Sequence, residues 1–336
     1  MTTHLERELR EQPEALARLL ERQYDYAQQI GELFRSSDAQ YILIASRGSS
    51  SNAARYAQYL LGRANRVPVA FATPSLYTLY EQPPRLDGAL VIGISQSGRS
   101  PDVRAVVEEA ARQGRPTIAL TNDPSSPLAE AAEAVLPVEA GAERSVAATK
   151  TYLNSLGALA LLFTASTRDA QAFAELRAMP DAVAEQLERS WADVESVQPL
   201  GGGTVVARGV NFGTAYEIAL KMRELSGLLF EAYSAADLMH GPVAAIREGW
   251  PVLAVAPSGP ANASMNEAIE SVRARGARMI VLSDQPGAEL PLVRVPEWVS
   301  PLVSVIPGQL LARRLAELGG ADIDRPGGLS KVTLTR

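Results

Sequence analysis

The feature that most constrains this chain of 336 residues is an internal repeat in its turn motifs. Each motif directly follows a short apolar, β-branched run, which is typical of a buried parallel strand. Three motifs recur 161 residues later: Arg47-Gly48 as Arg208-Gly209, Ser97-Gly98 as Ser258-Gly259, and Asp123 as Asp284. A shared offset for three turns predicts two α/β domains of the same type in tandem.

In the first half, apolar runs alternate with helical patterns. The predicted strands are Gln40–Ala45, Val67–Ala72, Val91–Ile94 and Pro116–Leu120, and the helical patterns cover Pro13–Phe34, Asn52–Arg63 and the run to Gln113. This alternation predicts a doubly wound parallel sheet with helices on both faces. We expect an N-terminal helix over 1–35, a first domain over 36–168, a helical linker over 169–197, a second domain over 198–325 and a tail over 326–336.

Length and composition narrow the class of protein. The chain exceeds the usual size of one hydrophobic core, which supports two domains. A net charge of −6 without any basic block argues against a nucleic-acid partner, because phosphate backbones are held by clustered cations. Cysteine is absent from the sequence, which excludes disulfides, thiolate nucleophiles and zinc–thiolate sites. The charged N-terminus and the shortness of the apolar runs predict a cytoplasmic protein without a membrane partner.

Two turns of the first half are rich in hydroxyl groups. They contain Ser46, Ser49, Ser50 and Ser51 after one strand, and Ser95, Gln96, Ser97 and Ser100 after another. The equivalent turns of the second half read Val210-Asn211-Phe212 and Pro257-Ser258-Gly259-Pro260. Hydroxyls, turn amides and the positive end of a helix dipole favour an anion, and open α/β sheets bind ligands at the carboxyl ends of their strands. The turns predict a phosphate cradle in the first half only, although a single such turn can also serve just to cap a helix.

The second half carries a group of reactive side chains. Glu217, Lys221 and Glu224 are spaced to share one face of a helix, an arrangement that on an exposed helix merely stabilises it. His240 follows, and its imidazole suits acid or base chemistry near neutral pH. One histidine in this region lacks the partners of a conventional metal site, so we expect no metal. With a phosphate cradle, these groups suit proton transfer between C1 and C2 of a sugar phosphate.

Two further stretches are less specific. The polar cluster Glu143–Lys150 follows the strand-like run Ala134–Val138 and, taken alone, predicts a solvated, capped start of a helix. The tail after Pro326 follows a Gly/Pro-rich break, and such a tail either frays or docks. The tail carries Lys331, a charged residue that could act in chemistry if the tail docks.

These residues resemble a known family. From end to end, the chain resembles the double sugar isomerase (SIS) domain proteins, which include the isomerase half of glucosamine-6-phosphate synthase and the free-standing aminosugar-phosphate deaminases. Ser95-Gln96-Ser97-Gly98 is similar to the family's phosphate motif, and Gly48-Ser49-Ser50 to its first glycine turn. The stretch from Glu217 through Glu231-Ala232-Tyr233 to His240-Gly241-Pro242 is the most specific match, and Lys331 falls on the family's tail lysine.

The resemblance implies a fold, residue roles and a partner. It implies two flavodoxin-like αβα sandwiches, a homodimer whose subunits share active sites, and no cofactor. It makes Glu224 the isomerising acid/base, His240 the ring-opening group and Lys331 the group that reaches the open-chain sugar. Lys221 joins these catalytic positions. The positions that it assigns to sugar-phosphate binding are Ser49, Ser50, Ser95, Gln96, Ser97, Ser100, Val146 and Ala148.

Departures from the synthase pattern favour the deaminases. The synthase carries a glutaminase domain with a cysteine nucleophile, whereas this chain begins with the isomerase half, so we expect no glutamine hydrolysis by that mechanism. Arg47 stands where the synthase has a cysteine and Ala148 where it has a serine, and stretches 97–102, 145–150 and 328–333 also look more like the deaminases. We expect conversion of glucosamine 6-phosphate and water to fructose 6-phosphate and ammonia. The alternatives are a synthase-type aminotransferase without its glutaminase domain, a galactosamine-6-phosphate deaminase, a fructosamine-phosphate deglycase and a non-catalytic sugar-phosphate sensor.

Overall fold

The computed structural model describes residues 2–194 and 200–331, and these form two compact units. The N-terminal unit comprises Glu11–Glu143 and Lys150–Ala178, together with Ser330 and Lys331. The C-terminal unit comprises the described part of Met179–Leu329, together with residues 2–10 and Arg144–Thr149. Each unit therefore takes in segments that lie far apart in the sequence.

The chain begins with helix α1 (His4–Arg10), which belongs to the C-terminal unit. The N-terminal unit follows as an alternation of helices and strands. In chain order they are α2 (Gln12–Ser36), β1 (Tyr41–Ser46), α3 (Gly48–Asn65), β2 (Val69–Phe71), α4 (Ser75–Thr78), β3 (Ala89–Ile94), α5 (Pro101–Arg112), β4 (Thr117–Thr121), α6 (Pro127–Ala131), β5 (Ala134–Pro137), α7 (Lys150–Thr167) and α8 (Ala170–Arg177).

The strands of the N-terminal unit form a parallel sheet in the order β2-β1-β3-β4-β5. Strands β3 and β4 are buried along their whole length, as expected for a sheet covered by helices on both faces. A Cβ at Gly93 of β3 would lie 2.8 Å from Val107 and 2.9 Å from Leu128, so glycine allows the helices to pack closely there. The strand order reverses direction between β1 and β3, and their carboxyl ends are the place where such a sheet takes a ligand.

The C-terminal unit repeats this plan. Its elements are α9 (Met179–Val194), β6 (Gly203–Ala207), a 3₁₀ helix (Gly209–Asn211), α10 (Phe212–Lys221), a π-helix (Met222–Ser226), β7 (Phe230–Ser234), α11 (Ala235–Met239), a 3₁₀ helix (Pro242–Ala245), β8 (Pro251–Val255), α12 (Asn262–Arg273), β9 (Arg278–Ser283), β10 (Leu290–Pro291), a 3₁₀ helix (Glu297–Val299) and α13 (Pro301–Leu318). The strands form a second parallel sheet in the order β7-β6-β8-β9-β10. The two sheets share one topology, which confirms the predicted tandem of flavodoxin-like α/β domains.

Helix α7 contains the apolar run Leu153–Thr164 and is buried from Lys150 to Ser166. One of its buried polar groups is held inside the unit: the Asn154 side-chain NH₂ donates to the carbonyl oxygens of Ala15 (2.9 Å) and Val138 (2.7 Å). The helix is therefore a core element of the N-terminal unit. Among the helices that the structure describes, none has both the length and the apolar character needed to cross a membrane.

The segment boundaries differ from the predicted ones. The helix predicted over 1–35 is divided into α1 and α2, which meet at Glu11. The described residues of the predicted linker form α8 in the N-terminal unit and α9 in the C-terminal unit. Helix α9 is tied to its sheet because the Gln186 side chain donates to the Pro291 carbonyl (3.1 Å) and accepts from the Val293 N–H (2.6 Å). Residues 195–199, where the predicted linker meets the predicted second domain, and residues 332–336 of the predicted tail lie outside the described residues.

Candidate active site

The first hydroxyl-rich turn follows β1. Ser46 ends the strand, Arg47 keeps an extended backbone (φ −139°, ψ 157°), and Gly48 opens α3 with φ +52°. Glycine suits this conformation because it has no Cβ to meet the backbone. The turn places the N-terminal end of α3, with Ser49 and Ser50 half-buried, at the carboxyl edge of the sheet.

The second hydroxyl-rich turn follows β3, the neighbour of β1. Ser95 is buried, whereas Gln96, Ser97 and Ser100 are half-buried. The hydroxyl oxygens of Ser95 and Ser100 lie 3.4 Å apart, and Gly98 turns the chain with φ +62°. Partly buried hydroxyls at the start of α5 are accessible donors for an anion.

An ion pair joins the two turns. They lie at the same edge of the sheet because Ser46 pairs in parallel register with Ile94. The Arg47 guanidinium donates from Nε to Asp102 Oδ2 at 2.7 Å, and the Asp102 side chain is only 1% exposed. A buried carboxylate would repel a phosphate, and the charge of Arg47 offsets that repulsion. The structure thus brings both predicted turns together as a cradle of neutral donors with Arg47 at its margin.

The predicted acid–base group forms a cluster in the C-terminal unit. Lys221 Nζ lies 3.4 Å from Glu217 Oε1 and also contacts Glu224 Oε2. The side chains of Glu217 and Lys221 are fully buried, whereas that of Glu224 is 25% exposed. The three residues therefore do not lie on an exposed helix, and Glu224 is the member of the cluster whose side chain is partly exposed to solvent.

The helix changes character within this cluster. The spacing predicts one regular helix, but α10 ends at Lys221 and Glu224 lies on the π-helix Met222–Ser226. Gly227, with φ +70°, then ends the helical run. A π-turn widens the helix by one residue, and such turns often occur at functional sites. Lys221 stands at the junction and bonds to one carboxylate on each side of it.

His240 lies at the C-terminal end of α11, where its backbone N–H donates to the Asp237 carbonyl at 3.1 Å. Its side chain is exposed, and the described residues show no hydrogen bond to the imidazole. Gly241 follows with φ +141°. The structure brings His240 into the same unit as Glu224 but shows no hydrogen bond or ion pair between them within the described ranges.

Val146 and Ala148, both half-buried, belong to the segment Arg144–Thr149 of the C-terminal unit. Glu8 of α1 holds this segment, since its Oε2 accepts the Ser145 hydroxyl at 2.6 Å and the Ser145 N–H at 3.2 Å. Glu8 and Ser145 are both buried. The predicted sugar-contacting segment is therefore fixed by a carboxylate that is remote in sequence.

Asp324 completes this arrangement. Its carboxylate caps the N-terminus of α1 by accepting the N–H groups of His4 (2.9 Å) and Leu5 (2.8 Å). Its carbonyl oxygen accepts the Val146 N–H at 3.3 Å. One residue near the end of the chain thus links α1 to the segment that carries Val146 and Ala148.

Lys331 belongs to the N-terminal unit, where its Nζ lies 2.6 Å from Glu143 Oε2. The Glu143 side chain is fully buried and also accepts the Thr151 N–H (3.1 Å) and hydroxyl (2.7 Å). The tail is therefore docked at Lys331. Glu143 is not at a solvated helix start, as the sequence pattern predicted, but in a buried ion pair.

The predicted site residues are thus distributed over both units. The N-terminal unit holds Ser49, Ser50, Ser95, Gln96, Ser97, Ser100 and Lys331, and the C-terminal unit holds Val146, Ala148, Lys221, Glu224 and His240. Within the described ranges, no group of three or more His, Asp or Glu residues is arranged to hold a metal.

Sequence reasoning missed three features: the Arg47–Asp102 ion pair, the bonds from Glu8 to Ser145, and the Glu143–Lys331 ion pair. The signal for the first was a basic residue and an acidic residue in two turns that follow adjacent strands. The bonds from Glu8 to Ser145 and from Glu143 to Lys331 join residues more than 130 positions apart, so no local pattern indicates them.

Two flavodoxin-like sheets in tandem, with hydroxyl-rich turns in one unit and a buried Glu–Lys–Glu cluster in the other, define the class of α/β protein to which this chain belongs. The SIS domain matches residues 36–165 and 204–292, and the chain belongs to the SIS domain family.

The chain is 34% identical to glutamine–fructose-6-phosphate aminotransferase (isomerizing) of Thermus thermophilus, over 97% of this chain and 58% of that protein. It matches the C-terminal domain of glucosamine-fructose-6-phosphate aminotransferase from Francisella tularensis with a TM-score of 0.87 and 26% identity, covering 97% of this chain and 98% of that one. It also matches glucosamine-6-phosphate deaminase from Thermotoga maritima with a TM-score of 0.83, covering 99% and 100%. The identity to this last protein is 21%, so that likeness concerns the fold alone.

Proposed function

We propose that the protein is an aminosugar-phosphate deaminase/isomerase that converts glucosamine 6-phosphate and water to fructose 6-phosphate and ammonia. The observation that carries the proposal is the burial of Lys221 between Glu217 and Glu224. Desolvation of such charges is costly, and a surface pair that only stabilises a helix avoids this cost. Coupled charges in the interior, with one carboxylate open to solvent, are typical of acid–base sites.

The proposed reaction begins with binding and ring opening. The hydroxyls of Ser95, Ser97 and Ser100 and the turn amides hold the phosphate, as neutral donors at a helix N-terminus do. His240 moves a proton between the C1 hydroxyl and the ring oxygen, which opens the sugar to its aldehyde.

Proton transfer and release of ammonia follow. Glu224 takes the proton from C2 and returns it at C1, which converts the 2-amino aldehyde into an imine at C2. Water adds to this imine, and its hydrolysis gives the ketone and ammonia. Lys221 orients the Glu224 carboxylate through their ion pair, and Lys331 stabilises charge on the open-chain oxygen.

A synthase-type isomerase/aminotransferase is the second candidate, favoured by the name of the Thermus relative. The chain spans 58% of that relative's length, so the activity of the whole relative is not carried over. The turn 97–102, the cluster 145–150 and the tail 328–333 resemble the deaminases and support ammonia release instead. Galactosamine 6-phosphate and fructosamine phosphates are alternative substrates of the same shape. A sugar-phosphate sensor would need the cradle but not Glu224, His240 and Lys331.

We further propose a homodimer with shared sites. The exposed imidazole of His240 and the neighbouring Met239, which is 42% exposed, suit contact with a second copy of the chain. Mixing His240→Ala subunits with Glu224→Gln subunits tests this arrangement. Recovery of activity in the mixture supports sharing, and a mixture as inactive as its two parents contradicts it.

The test of the proposed function is release of ammonia and fructose 6-phosphate from glucosamine 6-phosphate without glutamine. Galactosamine 6-phosphate and fructoselysine 6-phosphate are assayed in parallel. Turnover of one substrate fixes the reaction and its specificity. If none of the three substrates is turned over but calorimetry still detects sugar-phosphate binding, the result would favour a non-catalytic sugar-phosphate sensor.

A further inference from the structure

We propose that Glu143 is a positioning residue that docks the Lys331 ammonium and so places the tail lysine for the reaction. The inference rests on the proposed function, because that function assigns Lys331 to the open-chain sugar. It adds a residue to which neither the phosphate cradle nor the acid–base cluster gives a role.

The contacts of Glu143 fix the carboxylate from two sides. Thr151, in the first turn of α7, donates its N–H to Oε1 (3.1 Å) and its hydroxyl to Oε2 (2.7 Å). Lys331 Nζ approaches Oε2 at 2.6 Å. The Glu143 side chain is 0% exposed and that of Lys331 is 24% exposed. Helix α7 thus sets the orientation of the Glu143 carboxylate, and Lys331 binds to an oxygen that is already held in place by Thr151.

The charges around Glu143 favour Lys331 as the cation that pairs with its carboxylate. Removing the cation from a buried carboxylate is strongly destabilising, because it leaves the negative charge desolvated and unpaired. Lys150 is the nearest lysine in sequence, but its Nζ contacts Glu11 and donates to the Ala142 carbonyl at 2.7 Å. The charge of Glu143 therefore draws the tail lysine to one position, whereas a free tail would sample many rotamers.

This docking has a consequence for the reaction. Displacement of a reacting or stabilising group by about 1 Å can lower a rate about 10²-fold. Glu143 also directly precedes the segment that carries Val146 and Ala148, the residues assigned to the sugar. The carboxylate thus adjoins the sugar-contacting segment in sequence and binds the lysine in space.

Docking is tested first without any assay of the reaction. Trypsin must bind the side chain of Lys331 to cleave after it, so the ion pair protects this bond. We expect Glu143→Gln to accelerate cleavage after Lys331, measured by mass spectrometry against cleavage after the exposed Arg275. The control Glu32→Gln removes a glutamate that pairs with Arg35 and Arg168 in the same unit, and it leaves cleavage after Lys331 unchanged. Equal cleavage in wild type and Glu143→Gln would overturn the docking.

Positioning is tested by a double-mutant cycle of Glu143→Gln and Lys331→Met. We expect Glu143→Gln to lower kcat/KM for glucosamine 6-phosphate about 10²-fold while the Kd for fructose 6-phosphate stays at its wild-type value. Because Glu143 acts through Lys331, the double variant is no slower than Lys331→Met alone. Losses that multiply, or a Glu143→Gln variant with wild-type kcat/KM, would contradict the proposal.

A second variant guards against misfolding of the first. Thr151→Val keeps the charge of Glu143 but removes one of the bonds that orient it, and we expect a smaller loss of kcat/KM in the same direction. Thr151→Val with wild-type kcat/KM and wild-type cleavage after Lys331 counts against positioning. A wild type that releases no ammonia defeats the proposed function, and the trypsin experiment then still decides whether Glu143 docks the tail.

Discussion

The turn after β3 in the N-terminal unit and its equivalent after β8 in the C-terminal unit have different hydrogen-bond partners. After β3 the chain reads Ser95-Gln96-Ser97-Gly98, and after β8 it reads Ala256-Pro257-Ser258-Gly259. In the C-terminal unit, Asp284 Oδ1 accepts the N–H (2.7 Å) and the hydroxyl (2.9 Å) of Ser258. Its counterpart Asp123 instead accepts the N–H and hydroxyl of Ser125, within its own turn.

This difference shows that equivalent turns of one fold can have opposite capacities for an anion. The carboxylate of Asp284 takes the donors that an anion would use, so the C-terminal turn is already satisfied. The side chain of Asp284 is only 3% exposed, whereas that of Asp123 is 33% exposed. In the N-terminal unit, Asp123 does not take the donors of Ser97, so these donors stay available for the phosphate of the proposed function. The C-terminal unit holds the buried cluster around Lys221.

The largest effect is expected from the acid–base cluster. Glu224→Gln removes the base but keeps the shape of the side chain, and we expect kcat to fall about 10³-fold, within the usual range for general acid–base catalysis. Binding of fructose 6-phosphate, measured by calorimetry, stays unchanged because the cradle is in the other unit. Turnover at the wild-type rate would show that Glu224 is not the base. Loss of fructose 6-phosphate binding would contradict the assignment of binding to the N-terminal unit and of proton transfer to the C-terminal unit.

The second-largest effect is expected from a negative charge introduced into the turn after β3. Ser97→Asp puts a carboxylate where the other turn receives Asp284, and we expect the Kd for fructose 6-phosphate to rise about 10²-fold or more, because juxtaposed like charges cost several kcal/mol. Ser97→Ala gives a smaller rise, and the matched Ser258→Ala gives none. Calorimetry checks all three variants, and a change for Ser258→Ala as large as for Ser97→Ala would refute the comparison.

The glycine of the N-terminal turn is expected to have a moderate effect on stability. A Cβ at Gly98 would lie 1.9 Å from the Ser126 hydroxyl oxygen, and φ is +62°. Gly114 has a similar φ of +66° but open space around it, so Gly114→Ala reports the backbone cost alone. We expect Gly98→Ala to be less stable than Gly114→Ala by about 1–3 kcal/mol, the usual range for overpacking. Urea unfolding measures the difference in the free energy of unfolding. Equal stabilities would show that the Ser126 side chain can move away from the new Cβ without loss of stability.

The smallest effects come from the two aspartates themselves. Asp284→Ala leaves the donors of Ser258 without their acceptor. We expect a cost of about 1 kcal/mol, at the lower end of the usual range, because Ser258 is half-buried and water can reach its donors. Asp123→Ala costs less because Asp123 is more exposed. Hydrogen bonds from Ser125, and then Arg99, hold the pKa of Asp123 below its ordinary value of 3.8. A lowered folded-state pKa adds stability above pH 3.8 that is lost as the pH falls. Wild type and Asp123→Asn should therefore converge in Tm on acidification, and a gap that widens would reverse the sign of this contribution.

Much of the fold could be predicted because its determinants are local. The apolar runs locate β1, β3 and β4 to within two residues, and the repeated turns predict that both sheets share one topology. The positions of the serines follow from strand ends in the same way. Local pattern could not place α9 or α1, since α9 is tied to its unit by bonds to residues 291 and 293 and α1 by bonds to residue 324.

The candidate site was predictable in part for the same reason. Glu217 and Lys221 are one turn apart, and their spacing alone indicates that they meet. The π-turn that carries Glu224 depends on how the end of α10 packs and leaves no mark on a periodicity of 3.6 residues. The partners of Lys331 and Ser145 depend on tertiary pairing of charged groups, for which the sequence offers many candidates.

The cap on α1 has a consequence for the order in which the C-terminal unit folds. The N–H groups of His4 and Leu5 are satisfied by the carboxylate of Asp324, across separations of 320 and 319 residues. The cap therefore closes a loop that contains almost all of the described residues. Contacts of such separation slow folding, because the closing loop must be ordered before the contact forms. We therefore expect α1 to join the C-terminal unit late in folding, after the segments between residues 5 and 324 have formed their own local contacts.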